Sequence, residues 1–155
     1  MRPAAIFDMD GTLVDVSNIR HLVTSAHRDF DAFHQASLSS PARPWVVDLA
    51  REAVLSGLAV IVVTARQDRY RFITTTWLHE HCVPYDRLLM RSRFDTRPDA
   101  HVKADILHRI QHRYDVHFAV DDNPSVINLW RSRGTNVITV PGWPLPLVKG
   151  QPRHD

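Results

Sequence analysis

The sequence predicts an α/β protein in which helices cover both faces of a central parallel sheet. Short apolar runs alternate with longer segments whose apolar residues recur at helical spacing. Strands that alternate with helices favour right-handed crossovers, and such crossovers build a parallel sheet. A chain of 155 residues suits one domain that buries roughly two-thirds of its unfolded surface. We therefore expect a three-layer α/β/α domain over residues 1–141 and a Pro-rich tail over 142–155.

The first half of the chain is predicted to form two strands with two helices between them. Apolar residues between Ile19 and Phe33 recur at helical spacing and indicate one amphipathic helix. A segment rich in Ser and Pro then predicts a linker. In chain order the predicted elements are a strand at 4–7, this helix, a linker at 37–44, a helix at 46–54 and a strand at 60–63. Residues 17–44 are too few for a large covering domain, so we expect at most a small helical cap.

The second half of the chain is predicted to continue the same alternation of helices and strands. Pro124 is expected at the start of a helix, where its missing N–H is not needed. In chain order the predicted elements are a helix at 70–78, a strand at 87–90, a helix at 100–114, a strand at 116–120, a helix at 124–133 and a strand at 137–140.

Two carboxylates, Asp8 and Asp10, follow the first predicted strand and precede Gly11-Thr12. Because ligands bind at the carboxyl ends of parallel strands, both side chains are expected at the mouth of a ligand site. One carboxylate can attack a phosphate group while the other handles the proton, provided that a divalent cation reduces the charge repulsion. An isolated motif of this kind is more often a turn or a helix cap, so its interpretation depends on the rest of the chain.

Three further segments supply the other groups that such a site requires. Thr64-Ala65-Arg66 ends the second apolar run and offers a hydroxyl, backbone N–H groups and a guanidinium for phosphate oxygens. Lys103, one of only two lysines in the chain, lies in a predicted helix, and its ammonium can neutralise both the nucleophile and the phosphoryl group. Asp121-Asp122 follows another apolar run and suits a hard cation such as Mg²⁺. Singly these residues would more often be surface or capping residues, but together they favour catalysis.

The chain resembles the haloacid dehalogenase (HAD) phosphatase superfamily, which implies a Rossmann-like three-layer fold. The four matching motifs are, in order, DMDGTL at 8–13, VVTAR at 62–66, the helix-borne Lys103 and VDDNP at 120–124. A second set of matches includes WL at 77–78, VP at 83–84, LM at 89–90, DTR at 95–97, Asp99, YDV at 114–116 and LWRSRG at 129–134. This second set resembles the phosphatase domain of phage-type polynucleotide kinase-phosphatase, which removes phosphates from the 3′ ends of nucleic acids.

The resemblance implies a role for each matching residue. Asp8 is the nucleophile that becomes an aspartyl-phosphate, and Asp10 is the general acid and base. Asp8, the Asp10 carbonyl oxygen and Asp122 hold Mg²⁺, and Asp121 is either a further ligand or a brace. The group also has an arginine soon after the first motif, for which Arg20 is the candidate. The expected phosphate- and substrate-binding residues are Gly11, Thr12, Thr64, Ala65, Arg66, Arg97, Asp99 and Lys103.

The resemblance implies a phosphatase that acts on 3′-terminal phosphates of DNA or RNA. Between Arg66 and Arg97 there are seven arginines against four acidic residues, which favours a polyanionic substrate more than the net charge of +2 does. A phosphatase of free nucleotides or other small phosphate esters is the second interpretation.

Two interpretations outside the phosphatases find less support. A receiver-like phospho-acceptor would keep its acidic pair at the first strand, with no carboxylate two residues after the acceptor, so Asp10 argues against it. A plain nucleic-acid-binding module would need aromatic stacking platforms or a recognised binding motif. Neither is evident in the sequence.

The remaining expectations concern partners and location. The sequence contains no GxxxxGK[ST] phosphate-binding loop, so we expect no kinase activity in this chain. A separate kinase or ligase is the candidate protein partner. The single cysteine, Cys82, cannot form an internal disulfide, which indicates a reducing compartment, and we expect its side chain to fill the core. We find no apolar signal segment and no run of membrane-spanning length, and therefore expect a cytoplasmic protein. The oligomeric state stays open.

Overall fold

Five parallel strands form the sheet that carries the site. The computed structural model describes residues 1–142, so the predicted tail, with Lys149, lies outside the described residues except for Gly142. The strands are β1 (Arg2–Phe7), β2 (Ala59–Gln67), β3 (Arg87–Arg91), β4 (Tyr114–Asp121) and β5 (Asn136–Thr139). Every neighbouring pair is parallel, in the order β3-β2-β1-β4-β5. The predicted parallel α/β fold is confirmed.

Helices lie on both faces of this sheet. They are α1 (His21–Thr24), α2 (Phe30–Ser37), α3 (Pro44–Leu55), α4 (Arg71–Glu80), α5 (Asp99–Gln111) and α6 (Pro124–Ser132), and a 3₁₀ turn (Asp68–Tyr70) precedes α4. None of the helices within residues 1–142 is long and apolar enough to cross a membrane.

Alternate side chains of the central strands build two separate cores. Phe7 of β1 belongs to the core that includes residues of α3 and α4, and Ile6 belongs to the core that includes residues of α5 and α6. Trp77 anchors the first core and Trp130 the second, and both side chains are fully buried. Each buried aromatic contributes about 2 kcal/mol from apolar burial. The central strands, and the residues that follow their carboxyl ends, are therefore held from both sides.

The strand order places a crevice beside the end of β1. The chain passes from β1 to β2 on one side of β1 and later returns to β4 on the other side. Loops that leave β1 and β4 therefore diverge, and ligands bind in the crevice at such a switch point. The backbone N–H of Asp8 donates to Val120 O at 3.0 Å, which fixes the start of the first loop against β4.

The single helix predicted between Ile19 and Phe33 is wrong, because the structure divides this segment into α1 and α2. Asp29 caps α2, and its side chain accepts a hydrogen bond from Ala32 N. A capping residue adopts a non-helical backbone, so a helix cannot run through it. The spacing of apolar residues alone does not reveal this break between α1 and α2.

Two smaller predictions at element ends are also wrong. Cys82 is exposed and does not fill the core. It follows α4 with φ of +52°, the left-handed conformation common just after a helix, and its side chain points to solvent. Tyr114, expected at the end of a helix, is the first residue of β4 because α5 ends at Gln111.

Candidate active site

Asp8, the residue directly after β1, lies at the centre of the crevice. Lys103 on α5 donates hydrogen bonds to Asp8 Oδ1 and Asp121 Oδ2, both at 2.8 Å. All three side chains are buried. The structure therefore brings together a predicted nucleophile, a predicted phosphate-binding lysine and a predicted metal ligand that are far apart in sequence.

The loop after Asp8 uses some of its backbone donors and leaves others available. Gly11 N donates to Val14 O at 2.9 Å and Thr12 N donates to Met9 O at 3.1 Å, so neither amide is available to a ligand. The amides of Met9 and Asp10 donate to no acceptor within residues 1–142. These two amides therefore remain available to a ligand. The sequence carries no signal for them, because a backbone N–H does not depend on the side chain.

Gly11 and Thr12 contribute through space and through a hydroxyl. A Cβ at Gly11 would lie 2.0 Å from Asp122 Oδ2, and φ at Gly11 is +81°, so only glycine fits there. The Thr12 hydroxyl lies 3.1 Å from Asp8 Oδ2 and 3.2 Å from Asp122 Oδ1. It has one proton and donates it to one carboxylate at a time. Both residues thus lie against the carboxylates of Asp8 or Asp122, and their contact with a substrate stays a prediction.

Asp8, Asp121 and Asp122 form a buried acidic cluster whose ligand oxygens all lie within 4.8 Å of one another. Burial, reinforced by the neighbouring Asp121, raises the pKa of Asp8 well above its usual range, although Lys103 opposes the shift. Burial alone would lower the pKa of Lys103, but Asp121 and Asp8 outweigh it and raise that pKa. Three carboxylates outnumber the Lys103 ammonium and the nearby Arg20 guanidinium, which leaves excess negative charge, and an all-oxygen donor set suits Mg²⁺.

The two carboxylates at the end of β4 differ in their partners. Asp121 Oδ1 accepts from Asn123 N at 3.1 Å, and Asp121 Oδ2 accepts from Trp130 Nε1 at 3.2 Å as well as from Lys103. Asp122 lies beside Thr12, and its Oδ2 is 3.8 Å from Arg20 Nη2. Because both Asp121 oxygens already accept N–H bonds, this geometry favours Asp122 as the direct metal ligand. It also brings Arg20 to the site.

Asp10 and Arg66 form a two-pronged ion pair on the other side of the loop. Arg66 Nε donates to Asp10 Oδ2 at 2.8 Å and Nη2 to Asp10 Oδ1 at 2.5 Å. The remaining contacts of the guanidinium are with Thr74 Oγ1 at 3.1 Å and Ser37 Oγ at 2.9 Å. Arg66 is only 2% exposed and its guanidinium contacts Asp10; its contact with a phosphate stays a prediction.

This pairing also sets the protonation of Asp10. Burial pushes the pKa of Asp10 upward, but the charge and hydrogen bonds of Arg66 outweigh burial and hold it below its ordinary value. Asp10 is therefore a carboxylate in the free protein, which is the form that accepts a proton. Asp8 and Asp10 have opposite pKa shifts although one residue separates them.

Thr64 lies on β2 and faces the same edge of the sheet. Its Oγ1 accepts a hydrogen bond from Arg66 N at 3.1 Å, and its hydroxyl proton has no acceptor within residues 1–142. The Thr64 hydroxyl therefore has a proton to donate to a phosphate oxygen. Ala65 O accepts from Arg91 Nε at 2.8 Å, which fixes the backbone between Thr64 and Arg66.

Arg91, at the end of β3, links the β2 segment to the loop before α5. Besides Ala65 O, the guanidinium binds the carbonyl oxygen of Asp95 at 3.0 Å and the Asp99 carboxylate at 2.6 Å. Asp99 is therefore connected through Arg91 to the backbone of β2, and its role in substrate binding stays a prediction. Sequence reasoning did not identify Arg91; its position directly after the last apolar residue of a strand was the available signal.

Arg97 is the predicted substrate residue that the structure does not bring to the acidic cluster. Its guanidinium pairs with Asp95 at 2.8 Å and with Asp105 at 2.6 Å. Asp105 lies two residues after Lys103 on α5, and residues two apart point to opposite sides of a helix. The Arg97 guanidinium is thus on the outer face of α5, while Lys103 points inward.

Helix α2 forms the small cap beside Asp10 and Arg66. Ser37 binds Arg66, and Asp31 accepts a hydrogen bond from Tyr70 Oη at 2.9 Å. His34 lies between them, only 8% exposed, and its Nδ1 has no hydrogen-bond partner among the described residues. Burial lowers the pKa of His34 to about 4, so the imidazole is neutral. These polar residues of the cap carried no recognisable motif in the sequence.

Comparison with protein families gives a match over almost the whole described chain. The family model for the phosphatase domain of polynucleotide kinase PNKP matches residues 2–142. This range contains all four motifs that converge on the crevice.

Comparison with solved structures points in the same direction. A chain of the Pnkp1/Rnl/Hen1 complex has 30% sequence identity and a TM-score of 0.76, over 90% of this chain and 46% of that chain. A chain in a structure of the Pnkp1/Rnl/Hen1 RNA repair complex has 29% identity and a TM-score of 0.78, over 90% and 42%. The present chain spans less than half of either.

A more distant neighbour shares the fold alone. The class C acid phosphatase from Bacillus anthracis, solved with tungstate bound, has 15% identity and a TM-score of 0.71. The similarity covers 90% of this chain and 66% of that chain.

Proposed function

This chain belongs to the family of the polynucleotide kinase PNKP phosphatase domain, within the HAD phosphatases, and we propose that it removes 3′-terminal phosphates from nucleic acids. The observation that carries the proposal is the convergence of Asp8, Asp10, Thr64 and Lys103 on one acidic crevice. Phosphate transfer through an aspartyl-phosphate accounts for each of these groups.

In the first step the Asp8 carboxylate attacks phosphorus. A bond forms between an Asp8 oxygen and phosphorus, the bond to the ester oxygen breaks, and Asp10 gives a proton to the leaving oxygen. Arg66 opposes protonation of Asp10, whereas an arriving phosphate dianion favours it by raising the pKa of the neighbouring carboxyl. We infer that Asp10 takes up its proton together with the substrate.

In the second step water hydrolyses the aspartyl-phosphate. The Asp10 carboxylate accepts a proton from the water, the water oxygen bonds to phosphorus, and the Asp8 carboxylate leaves. The ion pair with Arg66 stabilises the carboxylate that this step requires and fixes its direction. Asp10, whose pKa is held low by Arg66, then releases this proton to solvent, and inorganic phosphate departs from a site that again contains two ionised aspartates.

The phosphoryl group has several candidate donors on this chain. They are the amides of Met9 and Asp10, the Thr64 hydroxyl, the Lys103 ammonium and the Arg20 guanidinium. These groups come from three different elements around the crevice. Charge that develops on the phosphoryl oxygens is stabilised best by donors that need no reorganisation, and the buried, doubly paired Lys103 meets that condition.

The residues of the acidic cluster fit a divalent cation. Asp8, Asp122 and the Asp10 carbonyl oxygen would hold Mg²⁺, and Asp121 would brace Lys103. When bound, Mg²⁺ supplies positive charge that offsets the repulsion between the Asp8 carboxylate and the phosphate.

The proposed substrate is the 3′ end of a nucleic acid, and RNA is favoured over DNA. A chain of an RNA repair complex is among the similar structures. The small cap leaves the site open to a polymer end, and the basic composition between Arg66 and Arg97 suits a polyanion. By the same similarity we propose that a separate kinase or ligase works with this protein. We also propose a cytoplasmic location, because a single cysteine cannot form an internal disulfide.

The test compares release of inorganic phosphate from 3′-phosphorylated, 5′-phosphorylated and cyclic-phosphate oligonucleotides of RNA and DNA, and from the 3′-mononucleotide. We expect the highest kcat/KM for the 3′-phosphorylated RNA, with a KM that rises with salt because phosphate contacts release counterions. Asp8→Asn provides the inactive control. Equal efficiency on oligonucleotide and mononucleotide, without salt dependence, would favour a phosphatase of free nucleotides.

A further inference from the structure

Exposed aromatic side chains concentrate at the edge of the sheet that carries the site. Among the described residues, five large aromatic side chains are exposed. Four of them lie at that edge, either just after the carboxyl end of a strand or at the start of a helix. These four are Phe30, Trp45, Phe72 and Phe94. The fifth, Tyr85, precedes β3 and lies at the opposite edge. An even distribution would not place the aromatics together at one edge.

Two polar contacts draw three of these aromatics around the 3₁₀ turn that follows β2. Asp68 in the turn pairs with Arg93 at 2.9 Å, and Phe94 is the next residue. Tyr70 in the turn donates to Asp31, which directly follows Phe30. Phe72 comes two residues after the turn. We call Phe30, Phe72 and Phe94 the aromatic rim.

The rim does not belong to the core of this fold. Phe72 is 81% exposed and Phe94 is 87% exposed. On α4 the buried residues include Thr74, Trp77 and Leu78, and Phe72 is two positions from Thr74, on the other side of the helix. Apolar surface of this kind stays in contact with water unless a ligand covers it.

Arginines without carboxylate partners accompany the rim. Arg69 and Arg71 are exposed, and neither forms an ion pair with a carboxylate within residues 1–142. Arg71 Nη1 donates one hydrogen bond, at 3.4 Å, to Leu88 O of β3, and the other N–H groups of its guanidinium donate to no acceptor within the described residues. Arg69 lies over the Tyr70 ring, with its guanidinium carbon 4.8 Å from the ring centroid. Exposed aromatics interleaved with such arginines characterise surfaces that bind single-stranded nucleic acid, because bases stack on the rings and phosphates contact the cations.

The rim also lies close to the proposed general acid. Arg66 pairs with Asp10, and the 3₁₀ turn starts two residues later. Thr74, two residues after Phe72, binds the same guanidinium. The path from the reacting phosphate to the rim is therefore short along the chain and follows a segment that Arg66 ties to Asp10 and to Thr74.

We propose that this surface binds the single-stranded nucleotides on the 5′ side of the terminal phosphate. Bases stack on Phe72 and Phe94, and Phe30 contacts the strand from the side of the cap. Arg69 and Arg71 contact the backbone phosphates. This assignment rests on the proposed function and adds to it the substrate feature that the enzyme recognises, a flexible strand of at least a few nucleotides. Stacking uses the faces of unpaired bases, so a blunt duplex end is a poorer substrate.

The test measures kcat/KM for 3′-phosphorylated RNA of one, two, four and eight nucleotides. For the wild type we expect kcat/KM to rise with length. Phe94→Ala and Phe72→Ala should each lower the ratio of octamer to mononucleotide by about tenfold, the effect of losing one stacked base. Phe94→Trp should keep the ratio, because tryptophan also offers a stacking face.

Leu55→Ala is the matched control. Leu55 is as exposed as Phe94, at 87%, but it ends α3 just before β2 begins and so lies at the opposite edge of the sheet. We expect its ratio to equal that of the wild type. A fall in the ratio for Leu55→Ala as large as that for Phe94→Ala would overturn the assignment.

Charge gives a second, independent readout. Arg69→Gln and Arg71→Gln should each reduce the slope of log KM against log salt for the octamer by roughly 0.7, the value for one phosphate contact on a single strand. An unchanged slope in both variants would contradict the proposed backbone contacts.

The outcomes separate this assignment from the proposed function. If wild-type kcat/KM does not rise with length, the polynucleotide substrate itself is wrong. If it rises but the aromatic variants keep the wild-type ratio, the rim does not bind the strand. The aromatic variants could also keep the wild-type ratio of octamer to mononucleotide but lose binding to a separate kinase or ligase. That result would make the rim a protein-docking surface and overturn the assignment.

Discussion

Asp8 and Asp10 divide the crevice into two sides with opposite electrostatics. On the acidic side, Asp8 shares Lys103 with Asp121, and Asp122 lies close by. On the paired side, Asp10 faces Arg66 in a one-to-one ion pair. The acidic side thus has more negative than positive charge, whereas the paired side is balanced within the chain.

This difference indicates which side of the crevice needs an additional cation for its function. On the acidic side the Lys103 ammonium and the Arg20 guanidinium oppose three carboxylates, which leaves one negative charge for a further cation to offset. Burial, reinforced by the neighbouring Asp121, raises the pKa of Asp8 there. The paired side needs no cation, because Arg66 already holds Asp10 ionised and oriented. The proposed nucleophile, Asp8, therefore depends on the metal, whereas the proposed base, Asp10, depends on Arg66.

Asp8→Asn should have the largest effect, a loss of phosphatase activity to background, because an amide cannot form the aspartyl-phosphate. In EDTA the variant should be at least as stable as the wild type, since it removes a buried charge whose ionised form the fold disfavours. Steady-state assays and thermal unfolding check both statements. Measurable turnover by the folded variant would sink the aspartyl-phosphate mechanism.

Removal of the metal should act on the acidic side alone. We expect EDTA to abolish activity, Mg²⁺ to restore it, and added Mg²⁺ to raise the thermal midpoint by relieving repulsion among the three carboxylates. Asp122→Ala should reduce this rise more than Asp121→Ala, because both Asp121 oxygens already accept N–H bonds. Restoration by zinc alone would show that the oxygen ligand set is misassigned.

Asp10→Asn should slow turnover by roughly two to four orders of magnitude, the usual effect of losing a general acid or base. Unlike Asp8→Asn, it should also lower the free energy of unfolding by about 3 kcal/mol, because Arg66 stays buried without a counter-ion. Urea unfolding of the two variants measures this difference directly. Equal stabilities would remove the distinction between the acidic and the paired side.

The acidic side was predictable from the sequence for a simple topological reason. Asp8, Thr64 and Asp121 each lie at the carboxyl end of a strand, and the ends of parallel strands meet at one edge. Lys103 was predictable because it lies beside apolar residues of its helix, on the face that packs against the sheet. Strand order and pairing then position these side chains within hydrogen-bond reach without any knowledge of the loops.

The paired side was harder to predict because it depends on how loops and the cap pack. Arg66 turns toward Asp10 because Ser37 from α2 and Thr74 from α4 accept its other hydrogen bonds. The sequence pattern did not even separate α1 from α2, so contacts made by α2 were beyond its reach. Arg91 illustrates the same limit, since its contacts depend on two carbonyl oxygens of the loop before α5 as well as on one of β2.

Gly11→Ala tests whether the acidic side depends on a close backbone approach. The added Cβ would meet Asp122 Oδ2 at 2.0 Å, so the carboxylate must move. We expect the apparent Mg²⁺ affinity to fall at least about tenfold, as when a ligand loses its support, while the Asp10–Arg66 pair is unaffected. Titration of activity with Mg²⁺ measures the shift, and an unchanged Mg²⁺ midpoint would contradict the ligand role of Asp122.

His34 offers the smallest and most selective test, because it belongs to the cap on the paired side. Its folded pKa of about 4 lies below the unfolded value of 6.5, so below pH 6.5 the unfolded chain binds the proton more readily. Stability should therefore fall as the pH drops from 6.5 toward 4, by about 2 kcal/mol between pH 7 and pH 5. His34→Gln should lack this part of the pH dependence, whereas His117→Gln, at an exposed position, should retain it. Urea unfolding at the two pH values measures the difference, and identical curves for wild type and His34→Gln would mean that the cap opens before the sheet unfolds.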